Sequence, residues 1–131
     1  MKFLNPTAMA APASRYSHGV EHGLAGRRLL VSGQVGVFPG GQLPGRLEYQ
    51  LVVAFENLFS VLADAGMEPS DLVKITCFCT VAGGVATFRE VRGRLLGDHA
   101  PTCTYLEVLG LASPEMLVEI EAEAVVETLT L

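Results

Sequence analysis

The chain has 131 residues, of which 50% are hydrophobic and 18% are charged, so it is long enough for one domain with a substantial core and too short for two. A formal net charge of −5 disfavours a nucleic-acid partner, because affinity for the phosphate backbone depends on clustered Lys and Arg. The basic cluster that the sequence does contain, Arg89, Arg92 and Arg94, is small. No apolar run approaches the roughly 18 residues of a membrane span, so we expect no membrane partner.

The predicted elements begin after an N-terminal segment, residues 1–14, that we expect to be loosely ordered within a single domain covering 1–131. YSHGVEHG and RLLVSGQVGV are typical of two strands joined as a hairpin by a turn at residues 24–27. Apolar residues then recur at helical spacing from Leu47 to Leu62, and this predicted helix ends at Gly66, a typical C-cap residue.

The second half of the chain continues with a strand at about 72–80, a helix at 85–96 and a strand that begins at Pro101. The last strand, LVEIEAEAVVE at 117–127, alternates apolar residues with carboxylates, which is typical of a strand with one buried face. The order β-β-α-β-α-β-β predicts an α+β fold with two helices packed on one face of a mostly antiparallel sheet.

Two helices cover only one face of such a sheet, so the other face needs a partner or must be polar. A mean hydropathy of +0.39 is high for so small a domain and indicates an oligomer. We expect a self-association surface with sites in clefts between subunits. The side chains predicted to point outward, apart from the acids of the last strand, are Ser32, Gln34, Thr76, Phe78, Cys103 and Tyr105.

The histidines and cysteines do not have the spacing of a metal site. In a strand, His18 and His22 lie roughly 13 Å apart, which is too far for two ligands of one ion, so we expect no metal. Cys77, Cys79 and Cys103 are an odd number without C-x-x-C spacing, which favours reduced, structural thiols over a disulfide framework or a nucleophile. Because the N-terminus is also a poor match to a signal peptide, we expect a soluble cytoplasmic protein.

VSGQVGVFPGG places a serine and a glycine at the end of a strand, near a tyrosine from the preceding strand. Ser32 and Gly33 can present a hydroxyl and a backbone N–H to a small molecule beside Tyr16. The order YS-x-GV, LLVSGQV, LVKITCF, a strand that starts at Pro101, and VEIEAEAV resembles the reactive intermediate deaminase family (RidA or YjgF, also described as endoribonuclease L-PSP) over roughly residues 12–127.

The resemblance implies a chorismate mutase-like homotrimer with sites between subunits. It also implies hydrolysis of reactive imines and enamines, such as 2-aminoacrylate, to a keto acid and ammonia without cofactor or metal. The family's catalytic tyrosine matches Tyr16, its S-G-Q serine matches Ser32 with Gly33 following, and its water-holding glutamate matches Glu119.

The chain departs from the family where an arginine in a P-A-R-S motif clamps the substrate carboxylate. Here residues 101–104 read PTCT, so Cys103 replaces that arginine, and a thiol has neither the charge nor the fork. Tyr105 should narrow the pocket, and Arg89 stands where an asparagine is expected. Unless Arg15 or Arg89 reaches the site, we expect a neutral, cationic or larger substrate.

Three functions remain open at this point. A RidA-like hydrolase with altered substrate choice is favoured because Tyr16, Ser32 and Glu119 occur together. A trimer that binds a small metabolite without turnover is the alternative, because of Cys103 and Tyr105. RNA cleavage, an activity attached to parts of this family, is disfavoured by the acidic balance.

Overall fold

The computed structural model describes residues 1–128 and confirms the predicted α+β class, with two helices against one face of a mostly antiparallel sheet. A short 3-10 helix, Pro69–Asp71, precedes the fourth strand. In chain order the elements are β1 (Lys2–Leu4), β2 (Gly19–Glu21), β3 (Gly26–Val35), α1 (Leu47–Asp64), β4 (Leu72–Cys79), α2 (Val85–Leu96), β5 (Thr102–Glu107) and β6 (Val118–Glu127).

The main sheet has four strands in the order β3-β6-β4-β5. β6 is antiparallel to both of its neighbours, whereas β4 and β5 are parallel, which requires the crossover connection that α2 provides. The alternation predicted for β6 is confirmed, because Val118, Ile120, Ala122 and Ala124 are buried towards the helices. Glu119 and Glu121 therefore lie on the opposite face, which we call the outer face.

The two helices form the other layer of the core. α1 buries Leu51, Phe55, Leu58 and Leu62, and Phe55 stacks on Phe88 of α2 with ring centroids 6.3 Å apart. α1 ends at Asp64, two residues before Gly66, whose φ of +70° suits a residue without a side chain. Neither helix of residues 1–128 has the length and apolar character needed to cross a membrane.

One polar side chain, Gln50, lies inside this layer with 1% of its surface exposed. Its amide donates to the backbone carbonyls of Pro44 at 2.8 Å and Glu115 at 2.9 Å. Its own carbonyl accepts from the backbone N–H of Leu117 at 2.9 Å. Gln50 thereby connects α1 to the segments that precede α1 and β6.

The pairing predicted for the first two strands is wrong. β2 does not form a hairpin with β3; it pairs antiparallel with β1, with Lys2 opposite Glu21 and Leu4 opposite Gly19. The segment 1–14, which we expected to be loosely ordered, thus contains a paired strand. β3 pairs with β6 instead, because that position puts Leu29 against the core.

The direction predicted for three side chains is also wrong. Cys103 and Tyr105 lie opposite Ile75 and Cys77, both fully buried, so they face the helices instead of pointing outward. Gln34 lies opposite the buried Ile120 and shares the helix-facing side. The reason is that β5 joins the sheet beside β4 and under α2. Every second side chain of β5 therefore fills the space between the sheet and α2. The residues found on the outer face, as predicted, are Ser32, Thr76 and Phe78.

Candidate functional site

The predicted site residues form two groups on opposite faces of the sheet. The first group lines a cavity of about 250 Å³ on the helix-facing side, which we call the arginine pocket. The second, which we call the outer-face group, consists of Ser32, Gly33 and Glu119. Within one chain the sheet separates the two groups, so they cannot contact the same small molecule there. The predicted site residues of the arginine pocket are Tyr16, Arg89, Cys103 and Tyr105, and Arg92 lines it with them.

Arg92 is the residue of the arginine pocket that sequence reasoning missed. It is only 4% exposed, its terminal nitrogen donates to Ser14 Oγ at 3.0 Å, and its guanidinium carbon lies 5.1 Å from the centre of the Phe88 ring. Its Nε is buried and has no hydrogen-bond partner among residues 1–128. Phe88, Arg92 and Leu96 recur every four residues on the buried side of α2, and this spacing was the signal that could have placed Arg92 in the interior.

The N-terminal wall of the pocket is fixed by hydrogen bonds from the segment around Tyr16. Ser17 donates its hydroxyl to the carbonyl of Ala100 at 2.6 Å, which ties the segment to the chain just before β5. Tyr16 is thereby placed in the same cavity as Cys103. Arg15 donates to the carbonyl of Gly97 at 2.6 Å and is not among the residues that line the pocket.

The protonation of the pocket residues argues against nucleophilic catalysis by a thiol. Burial raises the pKa of the Cys103 thiol, and the adjacent Arg92 guanidinium opposes this shift. Burial also raises the pKa of Cys77 and of the Tyr105 hydroxyl. Because a thiol reacts as its thiolate, Cys103 is a poor nucleophile at neutral pH.

The outer-face group is built around a close contact between a glycine and a carboxylate. The register of β3 on β6 shifts between Val31 and Gln34, and Ser32 and Gly33 lie within this irregularity. A Cβ at Gly33 would lie 2.5 Å from Oε1 of Glu119, so only glycine leaves room for the carboxylate as it stands. Ser32 is exposed beside it and lines a second cavity, of about 330 Å³.

The two histidines considered as metal ligands bond elsewhere. The ring of His18 lies 2.8 Å from the carbonyl of Ala10, and that of His22 lies 2.7 Å from the carbonyl of Gly23. Within the part of the chain that the structure describes, no group of three or more His, Cys, Asp or Glu side chains is arranged to hold a metal ion.

The α+β layer thus carries a half-buried glutamate on one face and, on the other, a cavity lined by a buried arginine, and cavities of this kind are suited to small molecules. The sequence model of the family "Endoribonuclease L-PSP" matches residues 7–126. The chain therefore belongs to this family, the RidA/YjgF reactive intermediate deaminases, and the resemblance stated from the sequence is confirmed.

Individual relatives agree with this assignment. TdcF of Escherichia coli K12, named as a candidate reactive intermediate deaminase, is 32% identical over 114 residues, covering 84% of this chain and 85% of that protein. The structure of YyfB from Yersinia pestis, a member of the conserved Rid family, is 31% identical, covers 95% of this chain and 98% of its own, and superposes with a TM-score of 0.85. The structure of E. coli TdcF with bound serine is 29% identical, covers 97% and 100% of the two chains, and has a TM-score of 0.72.

Proposed function

We propose that the protein is a RidA-like hydrolase that converts reactive imines or enamines to a carbonyl compound and ammonia. Family membership and similarity to a candidate reactive intermediate deaminase support this proposal. The observation that carries it is the packing of the Glu119 carboxylate against Gly33, which follows Ser32 in β3. Glu119 can act as a base, and Ser32 and Gly33 supply hydrogen-bond donors. Water addition to a C=N bond requires both.

The chemistry balances without a cofactor. The oxygen of a water molecule forms a bond to the imine carbon while the Glu119 carboxylate accepts one proton from that water. The Ser32 hydroxyl and the backbone N–H of Gly33 donate hydrogen bonds to the polar atoms of the tetrahedral adduct. Glu119 then returns this proton to the nitrogen, which gives a neutral adduct with one hydroxyl and one amino group. Glu119 next accepts the hydroxyl proton and passes it to the amino group, the C–N bond breaks, and ammonia leaves a C=O group behind. An enamine enters the same sequence after protonation at carbon.

The active form is proposed to be a homotrimer. Glu119 and Tyr16 lie on opposite sides of the sheet in one chain, so a site that uses both requires the outer-face group of one subunit to meet the arginine pocket of the next. The outer face also carries apolar surface suited to burial between subunits, since Leu30 is 63% exposed and Leu106 is 45% exposed. Three free thiols in residues 1–128 fit a reducing cytoplasm, where we place the protein.

The substrate preference is proposed to be altered by Cys103. Its side chain is much shorter than the arginine expected at this position, and it brings no charge of its own. Tyr105 fills part of the space, packed on Phe88 with ring centroids 5.6 Å apart. A substrate of this protein is therefore held by groups other than residue 103. It lies at a different distance from β5 than a substrate bound by an arginine at that position would.

The proposed function is tested by Glu119→Gln, with Glu121→Gln as a matched control on the same strand. Keto acid release would be followed from 2-iminopropionate or 2-aminoacrylate generated in situ. Loss of the base should lower kcat by about 100- to 10,000-fold in Glu119→Gln, with trimer content unchanged, and leave Glu121→Gln active. Equal activity of Glu119→Gln and the parent protein would refute Glu119 as the base.

The alternative function is a trimer that binds a small metabolite without turnover. It is favoured by the protonated, poorly nucleophilic Cys103 in place of a charged clamp. A ligand bound in the arginine pocket, with no hydrolysis across a panel of imines, would select this alternative. RNA cleavage is not proposed, because a net charge of −5 opposes binding to a phosphate backbone.

A further inference from the structure

Among the residues that the structure describes, Arg92 is a buried cation without a carboxylate partner. The ion pairs formed within residues 1–128 join the N-terminus to Glu127, Arg28 to Glu123, and Arg94 to Glu48. None of them includes Arg92, which is only 4% exposed. Arg94, on the same helix, is half exposed and does form an ion pair. The Ser14 hydroxyl is the one oxygen acceptor that its guanidinium reaches in this part of the chain.

This arrangement is costly unless a further group joins it. An arginine keeps its charge in proteins and carries five N–H donors, and burying a charge without an opposite charge is strongly destabilising. The face of Phe88 offers a favourable but weak contact, and the Ser14 hydroxyl carries no charge. The buried Nε has no acceptor within residues 1–128. A planar anion in the pocket would supply both the missing charge and a bidentate acceptor.

The position of the guanidinium identifies the place of that anion. Arg92 and Cys103 line the same cavity of about 250 Å³, and the guanidinium lies next to the thiol. We propose that Arg92 binds the carboxylate of the ligand and supplies, from α2, the positive charge that β5 lacks at position 103. The ligand class is then a small carboxylate such as a 2-imino or 2-keto acid. Arg89, exposed at the same cavity, adds a second positive charge.

This role changes the expectation drawn from the sequence, which tied an anionic substrate to Arg15 or Arg89. Its description as substrate recognition rests on the proposed function, whereas binding of a carboxylate does not. Binding and turnover are therefore measured separately. If the parent protein binds the carboxylate through Arg92 but hydrolyses no imine, the hydrolase proposal is refuted and the role of Arg92 in binding is not.

The test is calorimetric titration of the protein with pyruvate, and with the neutral amide of pyruvate as the uncharged control. In Arg92→Gln the affinity for pyruvate should fall about 30-fold or more, because a charge-assisted contact in a desolvated site is removed. The amide should bind weakly to the parent protein and with the same affinity to Arg92→Gln. Arg94→Gln, on the same helix but outside the pocket, should bind pyruvate like the parent. Arg89→Gln should weaken binding less than Arg92→Gln.

A second variant separates ligand binding from a structural role in holding Ser14 and Phe88. Cys103→Arg introduced into Arg92→Gln should restore pyruvate affinity at least tenfold, because it returns a guanidinium to the same cavity from the other wall. If Arg92→Gln fails to fold, Arg92→Lys takes its place, retaining the charge but losing the fork, and Cys103→Arg is added to it. The proposal is overturned if the parent does not bind pyruvate, if folded Arg92 variants bind it normally, or if Cys103→Arg restores nothing.

Discussion

Gly33→Ala tests the outer-face group while leaving the Glu119 carboxylate, the Ser32 hydroxyl and the backbone N–H of residue 33 chemically unchanged. The new Cβ would lie 2.5 Å from Oε1 of Glu119, 2.6 Å from Cδ and 2.9 Å from Cγ. All three atoms belong to one side chain, so the contact is relieved by moving the carboxylate. Ordinary contact begins at 3.4 Å, which requires a displacement of about 1 Å. The φ of Gly33 is not in the positive range, so alanine adds no backbone strain.

A displacement of this size predicts a large kinetic effect and a small effect on stability. Misplacing a catalytic group by about 1 Å costs about 100-fold in rate, so kcat/KM for imine hydrolysis should fall by that factor. Gly45→Ala is the matched control, because its Cβ would have no neighbour within 4 Å. Because the added methyl group meets only the Glu119 side chain and leaves the backbone N–H in place, adding Gly33→Ala to Glu119→Gln should cause no further loss. A Gly33→Ala protein with the activity of the parent, or one whose loss adds to that of Glu119→Gln, would refute this reasoning.

Two further predictions concern stability. Gln50→Leu should lower the free energy of unfolding by about 1 to 3 kcal/mol, measured by urea denaturation with circular dichroism, because it removes the side-chain partner of three backbone groups in partly buried hydrogen bonds. An unchanged free energy of unfolding would show that water or rearrangement satisfies these groups. Since burial raises the pKa of Cys77 and Cys103, both thiols stay protonated in the folded state above the ordinary value of 9.0 while those of the unfolded chain ionise. Stability is therefore retained below pH 9 and falls above it, by up to about 1.4 kcal/mol per pH unit for each thiol; urea midpoints that stay constant from pH 8 to pH 10 would contradict this.

The elements of the fold were predictable where a local pattern sets them. α2 has the predicted bounds, and β4 differs from its prediction by one residue, because helical spacing and β-branched composition act within each segment. The partner of β2 was not predictable in the same way. Three residues carry little register information, and the choice between β1 and β3 is decided by contacts distant in sequence.

For the site, the sequence predicted residue types better than directions. Alternation along β5 places Cys103 and Tyr105 on one face but does not say which face, and this depends on where α2 lies across the sheet. Arg92 belongs to the small basic cluster of the sequence, and charged side chains are usually exposed. Its helical spacing from Phe88 carried the opposite information, and the structure shows that the spacing was the better guide.

The two groups of the site differ in how freely evolution can rearrange them. Binding a carboxylate requires a guanidinium at one point in a cavity, and that point can be reached from any element of the cavity wall, including α2 and β5. Glu119 has less freedom, because its carboxylate can keep its present position only against a glycine in the strand beside it. A family member can therefore lose the arginine of β5 and keep an anion site, whereas a side chain at Gly33 or a shift in the β3–β6 register would displace the proposed base. For members of this family that lack the arginine, inspection of the buried side of α2 is the way to judge whether their ligands are anionic.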